Sequence, residues 1–99
     1  MPFELYKVIR DYLAKQPVEK AWVFGSYSRG EEKEGSDIDI LVQFTPGAVV
    51  GMIKYARMTR ELSELLNIDV DLVEEGTLLP FAAPSAERDK ILIYEREAA

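Results

Sequence analysis

Ser36-Asp37-Ile38-Asp39-Ile40-Leu41-Val42-Gln43-Phe44 (SDIDILVQF) carries the pattern that decides the fold. Residues two apart on an extended strand share a face, so Asp37 and Asp39 project together while Ile38, Ile40 and Val42 enter the opposite side. Ile68 to Val73 (IDVDLV) repeats the device, with Asp69 and Asp71 opposite Ile68, Val70 and Leu72. If these strands are neighbours in register, three or four carboxylates converge. Like charges that close raise one another's pKa and cost stability unless a cation neutralises them, which favours a divalent metal site. The plain alternative for either pair is a solvent-facing strand side, and Asp69 reads as a rim residue rather than a ligand.

Working outward, Leu5, Val8, Ile9, Tyr12 and Leu13 recur at helical spacing and predict a helix from Phe3 to Lys15, ended by Pro17. Glu19 to Phe24 (EKAWVF) reads as a strand finishing in Gly25-Ser26, with a turn or short helical turn over Tyr27 to Glu31 and a charged loop over Glu32 to Gly35. Thr45-Pro46-Gly47 is a turn signal. Val50 to Leu66 then predicts a second helix with a buried stripe of Tyr55, Met58, Leu62 and Leu65 or Leu66, closed by Asn67. After the strand at 68–73, Glu74-Glu75-Gly76 turns the chain out, Leu78 to Pro84 is irregular and apolar, and Ser85 to Ile91 reads as a short helix capped by Ser85. Leu92 to Tyr94 fits either a strand or a continuation of that helix. The expected fold is α+β in two layers, a small mixed sheet with helices packed on one side, forming one domain over residues 1–99.

Composition narrows the chemistry. Ninety-nine residues with 47% hydrophobic and 30% charged side chains suit one compact globular unit, and the amphipathic start MPFELYKVIRDYLAKQ lacks the apolar centre of a signal peptide. No apolar run is long enough to span a membrane, so a cytoplasmic location is the default expectation. Net charge is -6, which repels nucleic-acid backbones and argues against direct duplex binding. With no Cys and no His, thiol catalysis, imidazole bases and soft-ligand metal sites are excluded. Carboxylates remain as the metal ligands, which favours the hard cations Mg²⁺ or Mn²⁺.

Gly25-Ser26 directly follows the apolar AWVF run. A glycine lets backbone approach a ligand closely, and the amides and hydroxyl of Gly25, Ser26 and Tyr27 could cradle phosphate. Arg29 would offer a guanidinium to phosphates or to an aspartate, and Gly30 would keep the turn open. Taken alone, the Gly-Ser pair is no more than a strand-ending turn; beside the aspartates it gains weight.

GSYSRG at 25–30, SDIDILV at 36–42 and VDLV at 70–73 together resemble the minimal nucleotidyltransferase family, the smallest members of the DNA polymerase beta-like superfamily. The resemblance covers roughly Val18 to Val73. It implies that Gly25 and Ser26 form the nucleotide phosphate-binding turn, with Arg29, Gly30 and Ser36 also on the nucleotide side. Asp37 and Asp39 resemble the metal ligands, and Asp71 the third carboxylate, which shares a metal and activates the acceptor. Ser28 stands where these minimal proteins often carry Ala. The implied chemistry is magnesium-dependent attack of an acceptor hydroxyl on the α-phosphorus of ATP.

Members of this family are commonly the antitoxin half of a pair whose toxin is a helical HEPN ribonuclease, so the resemblance implies adenylylation of a toxin tyrosine. Two competing expectations stand beside it: a small-molecule nucleotidyltransferase completed by a partner subunit, and a catalytically idle antitoxin that masks its toxin by contact. The segment LLPF at 78–81 and Tyr94 could serve a homo-oligomer, a heteromeric seam or the floor of the core.

Overall fold

The computed structural model describes residues 3–25, 27, 30–31, 33, 35–74 and 90–96. Their element order is α1 (Phe3–Leu13), β1 (Val18–Phe24), β2 (Ile38–Phe44), α2 (Met52–Leu66), β3 (Val70–Glu74) and β4 (Ile91–Glu95). The strands form a mixed sheet in the order β3-β2-β1-β4. β1 pairs antiparallel with both β2 and β4, whereas β2 and β3 run parallel. Parallel neighbours cannot be joined by a tight hairpin, and α2 supplies the crossover.

The core lies between this sheet and the two helices. Ile9 and Leu13 of α1 and Met58 and Leu62 of α2 meet Val18, Ala21, Val23, Ile38, Ile40, Val42, Val70 and Leu72, together with Ile93 of β4. The period-two faces of β2 and β3 were therefore legible: Ile38, Ile40, Val70 and Leu72 all point to the helix layer. One departure is Leu41, only 1% exposed although it lies on the other face. Its register partners are Trp22 on β1 and Val73 on β3, and a central strand flanked by large side chains hides apolar groups on both sides. β1 holds a second irregularity. The register shifts between Val18 and Lys20, and this lets Val18 share burial with Ala21 and Val23 despite the opposite parity.

Several boundaries differ from the sequence reading. α1 stops at Leu13 and the chain turns over 14–17: Pro17 has no N–H for the Leu13 carbonyl four residues back, and the residue before it is pushed away from helical backbone. Val8 is 38% exposed at the edge of the apolar stripe rather than within it. β1 starts one residue early, at Val18. β2 begins at Ile38, so Ser36 and Asp37 precede the strand. α2 begins at Met52, after an extended Gly51, and ends as expected at Asn67, whose left-handed φ of 53° suits asparagine. Of the two candidates for its last buried turn, Leu66 packs on the core and Leu65 is exposed. β3 begins at Val70 rather than Ile68.

Ile91 to Glu95 is a strand, so the expected helix does not extend to Ile91, and the open choice at Leu92 to Tyr94 resolves as strand. Pairing with β1 supplies hydrogen bonds that a lone five-residue apolar segment could not find locally. Residues 75–89, which hold the LLPF segment and the body of that expected helix, lie outside the described residues. Among the described residues no helix is long and apolar enough to cross a membrane.

Arg96 fastens β4 to the α1–β1 connection. Its Nε donates to the Val18 carbonyl at 3.0 Å, and its Nη2 donates to the Gln16 and Ala14 carbonyls at 2.6 Å and 3.4 Å. A guanidinium suits this place because carbonyls left without partners past a helix C-terminus carry partial negative charge.

Candidate active site at the β1–β2–β3 end

β1 leaves the sheet at the same end where β2 and β3 enter it, since β1 is antiparallel to β2 and β2 is parallel to β3. This brings together pieces that are far apart in sequence. Phe24 is paired with Asp39, and Asp39 is paired in turn with Asp71, on the sheet face opposite the helices. The Ile38 N–H donates to the Asp69 carbonyl at 2.9 Å and locks the register at the mouth of the two parallel strands.

Gly25 is fixed by this arrangement. Its φ is +74°, and a Cβ built on it would stand 2.3 Å from Asp39 Oδ2 and 3.3 Å from Asp39 Cγ. The carboxylate thus lies against the bare backbone of the turn; the dihedral favours glycine, and a side chain there would have to push the Asp39 carboxylate aside. Gly30 also has positive φ, at +70°, but nothing lies within 4 Å of its Cβ position, so only the backbone favours glycine there. Its N–H donates to the Tyr27 carbonyl at 3.4 Å.

Asp39 is half-buried, whereas Asp37 and Asp71 are exposed. Asp37 stands one residue before β2. Ser36 closes a turn: its hydroxyl accepts from the Lys33 N–H at 2.8 Å, and its own N–H donates to the Lys33 carbonyl at 2.9 Å. Ser26 and Arg29, expected on the phosphate side, and Ser28 lie outside the described residues.

Among the described residues no three His, Cys, Asp or Glu side chains form a ready-made metal cage. The donor chemistry still suits magnesium, which commonly takes one or two carboxylates and completes its shell with water and substrate phosphates. Asp39 and Asp71, aligned across a parallel ladder, are such a pair.

Tyr55 was visible in the sequence only as part of the α2 apolar stripe. Its hydroxyl donates to the Leu72 carbonyl, one residue beyond Asp71, and so ties α2 to the site strand. Burial, reinforced by the negative charges of Glu74 and Asp71, raises its pKa above the ordinary tyrosine value. A hydroxyl within an apolar stripe was the available signal, since a buried phenol takes a partner.

A cleft of about 450 Å³ opens between Lys33 and Ser36 on one side and the α2–β3 connection on the other, with Tyr27, Ser63, Asn67 and Asp69 among its walls. Asp69 lies at the rim of this cleft, one residue before β3, although the sequence pattern puts it within the strand.

Comparison with known proteins gives the family and the fold. The nucleotidyltransferase domain family matches residues 5–93. A candidate protein adenylyltransferase of Methanocaldococcus jannaschii is 38% identical over 89 residues, 90% of this chain and 88% of the relative. Among solved structures, a toxin–antitoxin complex with AMP-PNP contains a chain that superposes with a TM-score of 0.78 at 23% identity, covering 93% of this chain and 74% of that one. A complex of a tri-AMPylated Shewanella oneidensis HEPN toxin with its MNT antitoxin gives a TM-score of 0.74 at 21% identity, covering 97% and 74%. At those identities the structures speak for the fold, while the family match and the archaeal relative speak for descent. A chain matched almost end to end, with a glycine turn lying on one of two register-paired aspartates, belongs to the nucleotidyltransferase domain family and is a transferase of its minimal kind.

Proposed function

We propose that this protein is an antitoxin that transfers AMP from ATP to a tyrosine hydroxyl of a cognate HEPN ribonuclease toxin. The observation that carries the reading is the pairing of Asp39 with Asp71 while Asp39 also lies on the Gly25 backbone. It joins a phosphate-compatible turn and two carboxylates at one sheet end. The names of the relatives add the acceptor class: the archaeal one is named for protein adenylylation, and the structurally similar MNT antitoxin was solved with an AMPylated toxin.

In this mechanism the Gly25 turn, with Ser26 and Arg29, holds the triphosphate, and Asp37, Asp39 and Asp71 are the carboxylates available to divalent ions. Bound magnesium would neutralise phosphate charge and make the acceptor hydroxyl more acidic. Asp71 orients the tyrosine hydroxyl and takes its proton. The phenolic oxygen bonds to the α-phosphorus, the bond from that phosphorus to the bridging oxygen breaks, and pyrophosphate departs in line. No histidine is needed, in keeping with a chain that has none.

The test is the intact mass of the toxin partner after incubation with this protein, ATP and Mg²⁺, with peptide fragmentation to locate the adduct. An added AMP on tyrosine, lost with Asp39→Asn, is the expected result. No adduct, together with toxin neutralisation that survives Asp39→Asn, would leave masking by contact as the function. An adduct on a small hydroxyl compound instead would reassign the acceptor.

A further inference from the structure

We infer that the outer edge of β4 is a self-association surface: two copies of this chain pair β4 with β4, antiparallel about a twofold axis, and join two four-stranded sheets into one. This goes beyond the adenylylation reading and does not depend on it.

A sheet in the order β3-β2-β1-β4 has two edges, and the fold treats them differently. At the start of β3 the Asp69 carbonyl faces β2, where it accepts from the Ile38 N–H at 2.9 Å, so by alternation the backbone groups of Val70 and Leu72 point out to the edge. Side chains of α2 take both. The Val70 N–H donates to Ser63 Oγ at 3.0 Å, and the Tyr55 hydroxyl donates to the Leu72 carbonyl. On the opposite side, the Arg96 N–H donates to the Glu19 carbonyl of β1 at 2.8 Å, so Glu95 directs its own N–H away from β1. Among the described residues, no backbone hydrogen bond beyond the β1 ladder engages Ile91 to Glu95. Such an edge is a template for a further strand.

Symmetry and charge identify the occupant. With the β3 edge taken by α2, a chain extends its sheet with a copy of itself through β4, and a twofold axis there makes the paired strands antiparallel and the contact closed. A groove of about 450 Å³ follows this edge, walled by Arg10, Asp11 and Ala14 of α1 and by β4 from Leu92 to Glu95. Consecutive strand residues line it because the strand's edge, rather than one face, is open. The axis sets the two α1 walls opposite each other, so the cation and carboxylate at 10 and 11 of each copy meet their complements on the other. Ile91 and Leu92, 43% and 47% exposed, give the second copy apolar surface to cover. Since β2 and β4 are both antiparallel to β1, Ile91 lies at the carboxylate end of the sheet. Antiparallel pairing therefore sends the two sites to opposite ends of the joined sheet, where each stays open to its own acceptor.

The experiment is sedimentation equilibrium over a concentration series for the wild-type protein, Glu95→Ala, Glu95→Pro and Leu92→Lys. Proline removes the outward N–H at 95 and keeps the β1 ladder, because edge strands tolerate proline where the N–H faces solvent. Alanine removes the carboxylate and its 3.3 Å ion pair with Lys20 but keeps that N–H. Leu92→Lys sets like charges on both sides of the seam, and it decides the matter if melting shows that the proline variant does not fold. The expected result is a two-chain particle for wild type and Glu95→Ala, with the dissociation constant raised about tenfold or more by Glu95→Pro and by Leu92→Lys. Amide exchange at Glu95 should slow in the wild type as concentration rises. A wild-type protein that stays a single chain throughout would overturn the inference, and exchange at Glu95 that slows only with the toxin partner would make this edge a toxin contact instead. Dimerisation unchanged in a folded Glu95→Pro, or in Leu92→Lys where proline prevents folding, would overturn it, as would loss in Glu95→Ala equal to that in Glu95→Pro.

Discussion

Asp39 Oδ2 occupies the space where a side chain on Gly25 would begin, 2.3 Å from the ideal Cβ position. Gly25→Ala must therefore displace a half-buried carboxylate as well as hold alanine at a φ of +74°. The expected outcome is loss of AMP transfer with destabilisation beyond the ~1 kcal/mol that positive φ costs a non-glycine residue. Gly35→Ala is the internal control, because its φ is +86° but nothing lies within 4 Å. Chemical denaturation of both variants separates the two effects, and equal losses would mean that Asp39 moves aside without cost.

Asp71→Asn should leave stability nearly unchanged, because Asp71 is exposed and asparagine keeps its size. Transfer should fall on the order of 10²-fold or more, as lost charge at a phosphoryl site acts on the transition state. Stopped-time mass spectrometry of the partner checks the rate, and a near-normal rate would remove Asp71 from the mechanism.

Arg96→Ala should lower stability by about 1.5–3 kcal/mol, the range for hydrogen bonds made by a charged group. It would leave the carbonyls of Val18, Gln16 and Ala14 without their shared donor. Arg96→Lys should recover only part of this, since one ammonium cannot reproduce a planar fork. Urea unfolding of the three proteins decides the matter, and full recovery by lysine would reduce the contact to simple charge.

Tyr12 gives a pH dependence of definite sign. Its hydroxyl donates to Glu61 Oε1 at 2.6 Å. Burial first, then this bond and the Glu61 charge, raise the phenol pKa in the folded protein. Because the folded pKa lies above the unfolded value near 10, the stabilisation is complete below about pH 10 and is lost as pH rises through the folded pKa. Tyr55, raised in the same direction, adds to that alkaline loss. Tyr12→Phe should cost about 0.5–1.5 kcal/mol at neutral pH through the lost hydrogen bond and flatten the decline above pH 10. Thermal melts from pH 7 to 11 test it, and parallel curves for the two proteins would count against the coupling.

Leu62→Ala, at a fully buried position facing the sheet from α2, should cost about 2–5 kcal/mol, whereas Leu65→Ala, one turn later and exposed, should change little. Guanidinium unfolding of the pair checks which side of α2 carries the packing.

The sequence by itself determined the elements whose signal is local. The period-two alternation of β2 and β3 fixed which side of each strand enters the core, the apolar stripe of α2 fixed Met58 and Leu62 as buried, and Asn67 marked the helix end. These features follow from backbone geometry repeating every two or 3.6 residues. Together with the glycine turn they also marked out the carboxylates, because residue type and strand parity are enough to place Asp39 and Asp71 on a common face once two strands are neighbours. Tertiary structure decided whether they are neighbours. The parallel register that sets Asp39 beside Asp71, the contact of Asp39 with Gly25, and the reach of Arg96 to the α1–β1 connection all join segments far apart in the chain. The capture of Ile91 to Glu95 as a strand belongs to the same class: a short apolar run has no periodicity that separates strand from helix, and pairing with β1 decides its conformation by satisfying backbone hydrogen bonds.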